Sequence, residues 1–145
     1  MSNSVRQSAQ IVVIEDNPAD VHLLRVALDE TGEPYLLTVL KDGHQALEFI
    51  AEQRVLAEPK PCAVVLDLNL PKYDGLTVLR AIREAPVMAH VKVAVITTLA
   101  SPSDLTVIEQ LGVELYRQKP RDLPQYFELA ADIIALCAQV AYTAA

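Results

Sequence analysis

The stretch VVLDLNLPKYDGL occupies residues 64–76. Ala63 to Leu66 form an apolar run that reads as a strand buried on both faces. It runs directly into a carboxylate, Asp67, and then into a turn carrying Pro71, Asp74 and Gly75. One acid after a strand needs no function, since strands end in polar loops. What Asp67 means depends on what the other strands deliver to the same edge.

Outward from this stretch, short apolar runs alternate with amphipathic segments. IVVI (11–14), YLLTVL (35–40), CAVVLD (62–67), VKVAVITT (91–98) and the shorter, more polar VELYRQ (113–118) read as five strands. Helical spacing covers 18–30, 42–54, 75–85 and 101–112, with a long helix over 122–142. Asn17, Ser101 or Ser103, and Asp122 are the expected N-caps; Gly32 and Gly112 are the expected stops. Strict alternation with doubly buried strands predicts an α/β fold, a doubly wound parallel sheet covered by helices. The 145 residues fit one domain, with residues 1–9 expected as a loose tail and 10–145 as the domain.

The composition excludes several classes. A formal net charge of −7 argues against a nucleic-acid surface, which needs basic patches. There is no apolar run long enough to span a membrane and no signal-peptide core, so a cytoplasmic protein is expected. Cys62 and Cys137 are far apart in apolar contexts and are expected as buried free thiols rather than a disulfide. His22, His44 and His90 share no metal-ligand spacing with them and are expected at the surface.

In an open α/β sheet, ligands bind at the carboxyl ends of the strands. The first strand ends in Glu15-Asp16, the third in Asp67, the fourth in Thr97-Thr98 and the fifth near Lys119-Pro120. Carboxylates gathered there repel: at ~4 Å and an effective dielectric near 20, a pair costs about 4 kcal/mol. Lys119 supplies one counter-charge, and a hard divalent cation, Mg²⁺ or Mn²⁺, suits an all-oxygen donor set. The edge reads as a place to receive a phosphoryl group, with a carboxylate as acceptor.

These pieces, EDNPADVHLL, VVLDLNLPKYDGL, VITT and YRQKP, resemble in order and spacing the receiver domain of two-component response regulators over roughly residues 10–135. The resemblance implies a flavodoxin-like strand order 2-1-3-4-5. It implies that Asp67 accepts a phosphoryl group from a sensor histidine kinase, and that Glu15, Asp16, Asp67 and the Asn69 carbonyl hold the metal, Glu15 mainly through water. Lys119 would pair with Asp67 and then with a phosphoryl oxygen, its peptide bond to Pro120 being cis. Thr97, favoured over Thr98, would bind the phosphoryl group, and Tyr116 would be the aromatic switch. The signal would pass through the face formed by the fourth helix, fifth strand and fifth helix to a protein target, in a module with no output domain of its own. At subfamily level, EDNPADV and DLNLPKYDGL are similar to regulators paired with phytochrome-type kinases.

Some positions depart from the family pattern. Arg117 and Arg121 stand on the expected output surface where apolar residues are usual, and Leu99 stands two residues beyond Thr97 where many members are polar or acidic. Leu129, Ile133, Ile134, Leu136, Cys137 and Val140 give the last helix a wide apolar face, and homodimerisation through it is expected. Competing readings are weaker. A dehalogenase-like, Mg²⁺-dependent phosphatase wants an acid at Asn69, and a flavin or nucleotide carrier wants glycines in EDNPAD. A partner-binding pseudo-receiver would not need the full set of site residues.

Overall fold

The computed structural model of the chain describes residues 8–53 and 60–143, the side chains of 139–143 excepted. Five strands, β1 (Ala9–Ile14), β2 (Tyr35–Leu40), β3 (Ala63–Asp67), β4 (Lys92–Thr97) and β5 (Leu115–Gln118), form one parallel sheet in the order β2-β1-β3-β4-β5. The helices are α1 (Pro18–Glu30), α2 (Gly43–Glu52), α3 (Gly75–Glu84), α4 (Pro102–Leu111) and α5 (Leu123–Thr143). The predicted class and order are both found. β1 starts at Ala9, inside the expected tail, while residues 1–7 lie outside the described part. A short 3₁₀ turn, Pro86–Met88, fills the gap before β4.

Burial explains the sheet. All five residues of β3 are buried and five of six in β4, whereas the edge strands β2 and β5 alternate half-buried and exposed positions and bury no residue fully. Val12, Ile14, Val64, Leu66, Val93 and Val95 face a core closed by α2, α3 and α4. Ile11, Val13, Val65 and Ile96 face a second core under α1 and α5, with Leu24, Leu28, Leu129 and Ile133. The period of two thus sends alternate strand residues to opposite layers.

The helix starts follow their caps. Asn17 accepts from the Ala19 N–H ahead of α1, Asp42 from Gln45, Asp74 from Thr77 and Asp122 from Gln125. Of the two candidates before α4, Ser101 is the cap: it and Asp104 form a reciprocal capping box. Gly112 ends α4 in the left-handed conformation at φ 68°. Gly75 opens α3 hard against the strand below. A Cβ there would lie 2.4 Å from the Leu68 Cα and 2.8 Å from the Asp67 carbonyl oxygen, so only glycine fits without shifting the segment that carries Asp67. His22, His44 and His90 are exposed, as expected.

The two cysteines correct a prediction. Cys62 and Cys137 form a disulfide across 75 residues, with Cα atoms 5.0 Å apart. The sheet causes the encounter. Cys62 is hydrogen-bonded to Gln10 and Lys92 at the amino-terminal edge of the strands, and α5 runs back over the sheet to reach that edge. Sequence distance said nothing about this. The bond ties α5 to the edge opposite the acidic strand ends. Closing so long a loop typically stabilises by about 2–4 kcal/mol. Thiol titration of the oxidised protein is therefore expected to find no reactive cysteine, and reduction to expose two and lower unfolding stability by about 2–4 kcal/mol. Two reactive thiols before reduction, with an unchanged denaturation midpoint after it, would count against the bond.

Candidate functional site

β1, β3, β4 and β5 end side by side, and each delivers a polar group to one edge of the sheet. Glu15 and Asp16 follow β1, Asp67 is the last residue of β3, Thr97 the last of β4, and Lys119 the first beyond β5. Backbone bonds fix these ends: the Glu15 N–H donates to the Leu40 carbonyl and the Lys119 N–H to that of Thr97. Glu15, Asp67 and Thr97 are buried, while Asp16 is exposed at the rim.

Glu15, Asp16 and Asp67 each place a carboxylate oxygen within 4.8 Å of the others. These are hard oxygen donors with neither Cys nor His among them, a set that fits a hard divalent cation. Asp67 uses Oδ1 to accept from the Asn69 N–H at 2.9 Å and Oδ2 to accept from the Lys119 ammonium at 3.3 Å. Burial pushes the Glu15 carboxyl up to about 7, against hydrogen bonds from Lys119 and the Asn17 N–H that favour its charged form.

Lys119 is the hub. Its Nζ lies 2.8 Å from Glu15 Oε1, 2.8 Å from Asp20 Oδ2 and 3.3 Å from Asp67 Oδ2. Burial alone would lower its pKa; hydrogen bonds to Asp20 and Glu15 and the Asp67 charge outweigh it, and the net shift is upward. The peptide bond to Pro120 is trans, since no cis bond occurs among the described residues. The expected cis geometry is therefore corrected. Trans is the lower-energy state for an X–Pro bond unless context forces the other, and here three carboxylates orient the ammonium.

Thr97 rather than Thr98 joins the site. Thr97 is fully buried, accepts from the Asn69 side-chain amide at 3.0 Å and donates to the Leu99 carbonyl at 3.3 Å, whereas Thr98 is exposed. Leu99 is 77% exposed beside it. Tyr116 lies on β5 with its ring outward and half-exposed. Arg117, anticipated as a disturbance of this surface, is paired with Asp132 of α5, and Arg121 is exposed.

Two residues escaped the sequence reading. Asp20, in the first turn of α1, contacts Lys119 directly. Tyr126, in the first turns of α5, donates its hydroxyl to Asp20 Oδ1 at 3.3 Å, and burial next to Asp20 raises its pKa to about 12. Asp20 stands in the first turn of α1, and the sequence carries no signal for its contact with Lys119.

The comparisons with known proteins agree with this geometry. The model of the response regulator receiver domain matches residues 11–131. The response regulator Rcp1 of Synechocystis sp. is 33% identical over 134 residues, covering 92% of this chain and 91% of its own length. The crystal structure of the phosphorylated cyanobacterial phytochrome response regulator RcpA superposes with a TM-score of 0.77 at 31% identity, over 88% of this chain and 91% of that one. The Mn²⁺-bound form of Rcp1 gives 0.75 at 33% identity, over 86% and 91%. A fold with these strand-end acids, a lysine among them and a match across four-fifths of its residues places the chain in the response regulator receiver-domain family.

Proposed function

We propose that Asp67 is the phosphoryl acceptor of a sensor histidine kinase and that the outcome is read at the α4-β5-α5 face by a downstream protein. The observation that carries this reading is the placement of Asp67, buried at a strand end within reach of two further carboxylates and of Lys119. Asp67 attacks the phosphorus of a phosphohistidine; the O–P bond forms, the N–P bond breaks, and the imidazole leaves and takes a proton from water. Asp16, Asp67 and the Asn69 carbonyl would hold Mg²⁺ directly, with Glu15 acting through water, and the bound ion would neutralise phosphoryl charge. Lys119 meets a phosphoryl oxygen with its fixed charge.

The product is an acyl phosphate, which adds charge and acceptor oxygens. Thr97 then gives up its bond to Leu99 and turns its hydroxyl to the phosphoryl group, and Tyr116 moves inward. The Arg117–Asp132 pair ties β5 to α5 on this surface and restricts which partners fit. We place the protein in the cytoplasm; no helix among the described residues is long and apolar enough to cross a membrane. The similarity to Rcp1 and to a phytochrome response regulator supports a phytochrome-type kinase as donor. Homodimerisation through α5 belongs to the same reading. Leu129, Ile133 and Cys137 are taken up by the core, Ile134 is only half-buried, and Val140 lies outside the described side chains.

Incubation with a phosphorylated histidine kinase or with phosphoramidate is expected to label the wild type with an acid-stable, alkali-labile phosphate and to leave Asp67→Asn unlabelled. Label of equal intensity on Asp67→Asn would move the acceptor elsewhere. Asp16→Asn is expected to weaken Mn²⁺ binding about tenfold or more, because it removes one charged ligand; calorimetry showing equal affinity would remove Asp16 from the metal set. Leu99→Glu brings a carboxylate to the open side of Thr97, where it can activate water. It is expected to shorten the phosphoryl lifetime about threefold or more, less than 1 kcal/mol in barrier at the lower limit. Asn69→Ala, which strips the amide from Thr97, is expected to alter the lifetime by a similar factor. Lifetimes equal to wild type in both variants would show that neither residue controls water at the site.

A further inference from the structure

One of the groups that hold Lys119 lies outside the acceptor and metal set. A lysine ammonium has three donor hydrogens, and this one has three carboxylate partners: Glu15, Asp20 and Asp67. Asp67 is the most distant at 3.3 Å, and Asp20 equals Glu15 at 2.8 Å. Asp20 is itself held. Its Oδ2 meets Lys119, and its Oδ1 accepts from the Tyr126 hydroxyl of α5. Glu15, Asp20, Asp67, Lys119 and Tyr126 also line one small cavity of about 20 Å³, whose remaining walls are apolar.

An acid in the first turn of a helix is favourable on dipole grounds alone. The dipole does not specify a partner, however, and α1 already has Asn17 as its cap. Both Asp20 oxygens are used away from α1, one toward β5 and one toward α5. We infer that Asp20, braced by Tyr126, is a positioning residue that aims Lys119 at the phosphoryl group. The inference rests on Asp67 being the acceptor. Once an Asp67 oxygen is esterified, Glu15 and Asp20 are the partners left to fix the direction of Nζ, and Asp20 does so from the side of α1. A side chain with four rotatable carbons loses much entropy when aimed, and a preset ammonium spends none of that in the transition state.

Charge and position make opposite predictions, which allows a decisive test. Removing a carboxylate lessens repulsion of an anionic donor and, on electrostatics alone, speeds labelling. A lost brace slows it at saturating donor. The rate constant of labelling at saturating phosphoramidate would be measured for wild type, Asp20→Ala, Asp20→Asn and Tyr126→Phe, with Mn²⁺ affinity alongside. Asp20→Ala is expected to fall about tenfold with Mn²⁺ affinity held within about twofold. Asp20→Asn, whose amide oxygen still accepts from Lys119, is expected to recover most of the rate, and Tyr126→Phe to fall about threefold. Asp20→Ala labelling as fast as or faster than wild type overturns the brace while leaving Asp67 as acceptor. If Asp20→Ala does not fold, Tyr126→Phe decides: a fall supports the brace and an unchanged rate overturns it. A wild type that takes no label overturns the acceptor reading and this one with it.

Discussion

The Lys119 ammonium sits among Glu15, Asp20 and Asp67, with Asp16 at the rim, and this contact makes the rest of the sheet edge tenable. Two carboxylates ~5 Å apart at an effective dielectric near 20 repel by about 3 kcal/mol. Four acids against a single lysine leave the site anionic even after the ion pairs form. No buried side-chain nitrogen or oxygen among the described residues lacks a partner, so hydrogen bonding is satisfied while charge is not. That residual charge is what a divalent cation and a phosphoryl donor exploit. The same groups would be harmless on separate loops and useless there.

Bringing them together is the work of the parallel sheet. A parallel arrangement puts every strand's carboxyl end on one side, and the order β2-β1-β3-β4-β5 makes Glu15, Asp67, Thr97 and Lys119 neighbours. The strands reach that edge because their apolar residues are covered on both faces. Gly75 keeps α3 close under Asp67, and the close approach of Gly43 to the Tyr73 carbonyl packs the start of α2 against the same loop. Lys72, at φ 71° in that loop, places its ammonium 3.5 Å from Asp42, adding a weak exposed tie of α2 to the turn. The acceptor thus stands on a fixed backbone, and what can move lies one strand further on.

Much of this was legible in the sequence because it depends on local pattern. Apolar runs marked the buried strands, and Asn17, Asp122 and the Ser101/Ser103 pair marked helix starts through chemistry confined to three or four residues, while the caps Asp42 and Asp74 emerged only with the structure. Glu15, Asp16, Asp67, Thr97 and Lys119 could be found because each ends a strand, and strand ends share an edge. The misses depend on contacts between distant elements. Cys62 and Cys137 meet only because α5 runs back along the sheet, a path that spacing does not encode. Asp20 and Tyr126 carried no local signal of their contact; they meet through packing of α1 on α5.

The geometry also explains why the proposed signal has a short path. Val95 pairs with Tyr116 and Thr97 with Gln118, so the buried hydroxyl and the half-exposed ring are separated by one step across the sheet and two along it. Thr97 is fully buried and its hydroxyl already joins Asn69 to the Leu99 carbonyl. It cannot turn to a new acceptor without releasing the segment that leads into α4. That segment begins with exposed Leu99 and runs to the Ser101 capping box, so the helix start is rigid while the approach to it is loose. At the other end, Arg83 donates to the Leu111 and Gly112 carbonyls and pairs with Glu114, which fixes the carboxyl end of α4 to α3 and β5. One end of α4 is pinned through Arg83 and the other leads on from Thr97, so under the proposed switch a change at the phosphoryl site would pivot α4 toward or away from the surface it shares with Tyr116 rather than shift the whole helix.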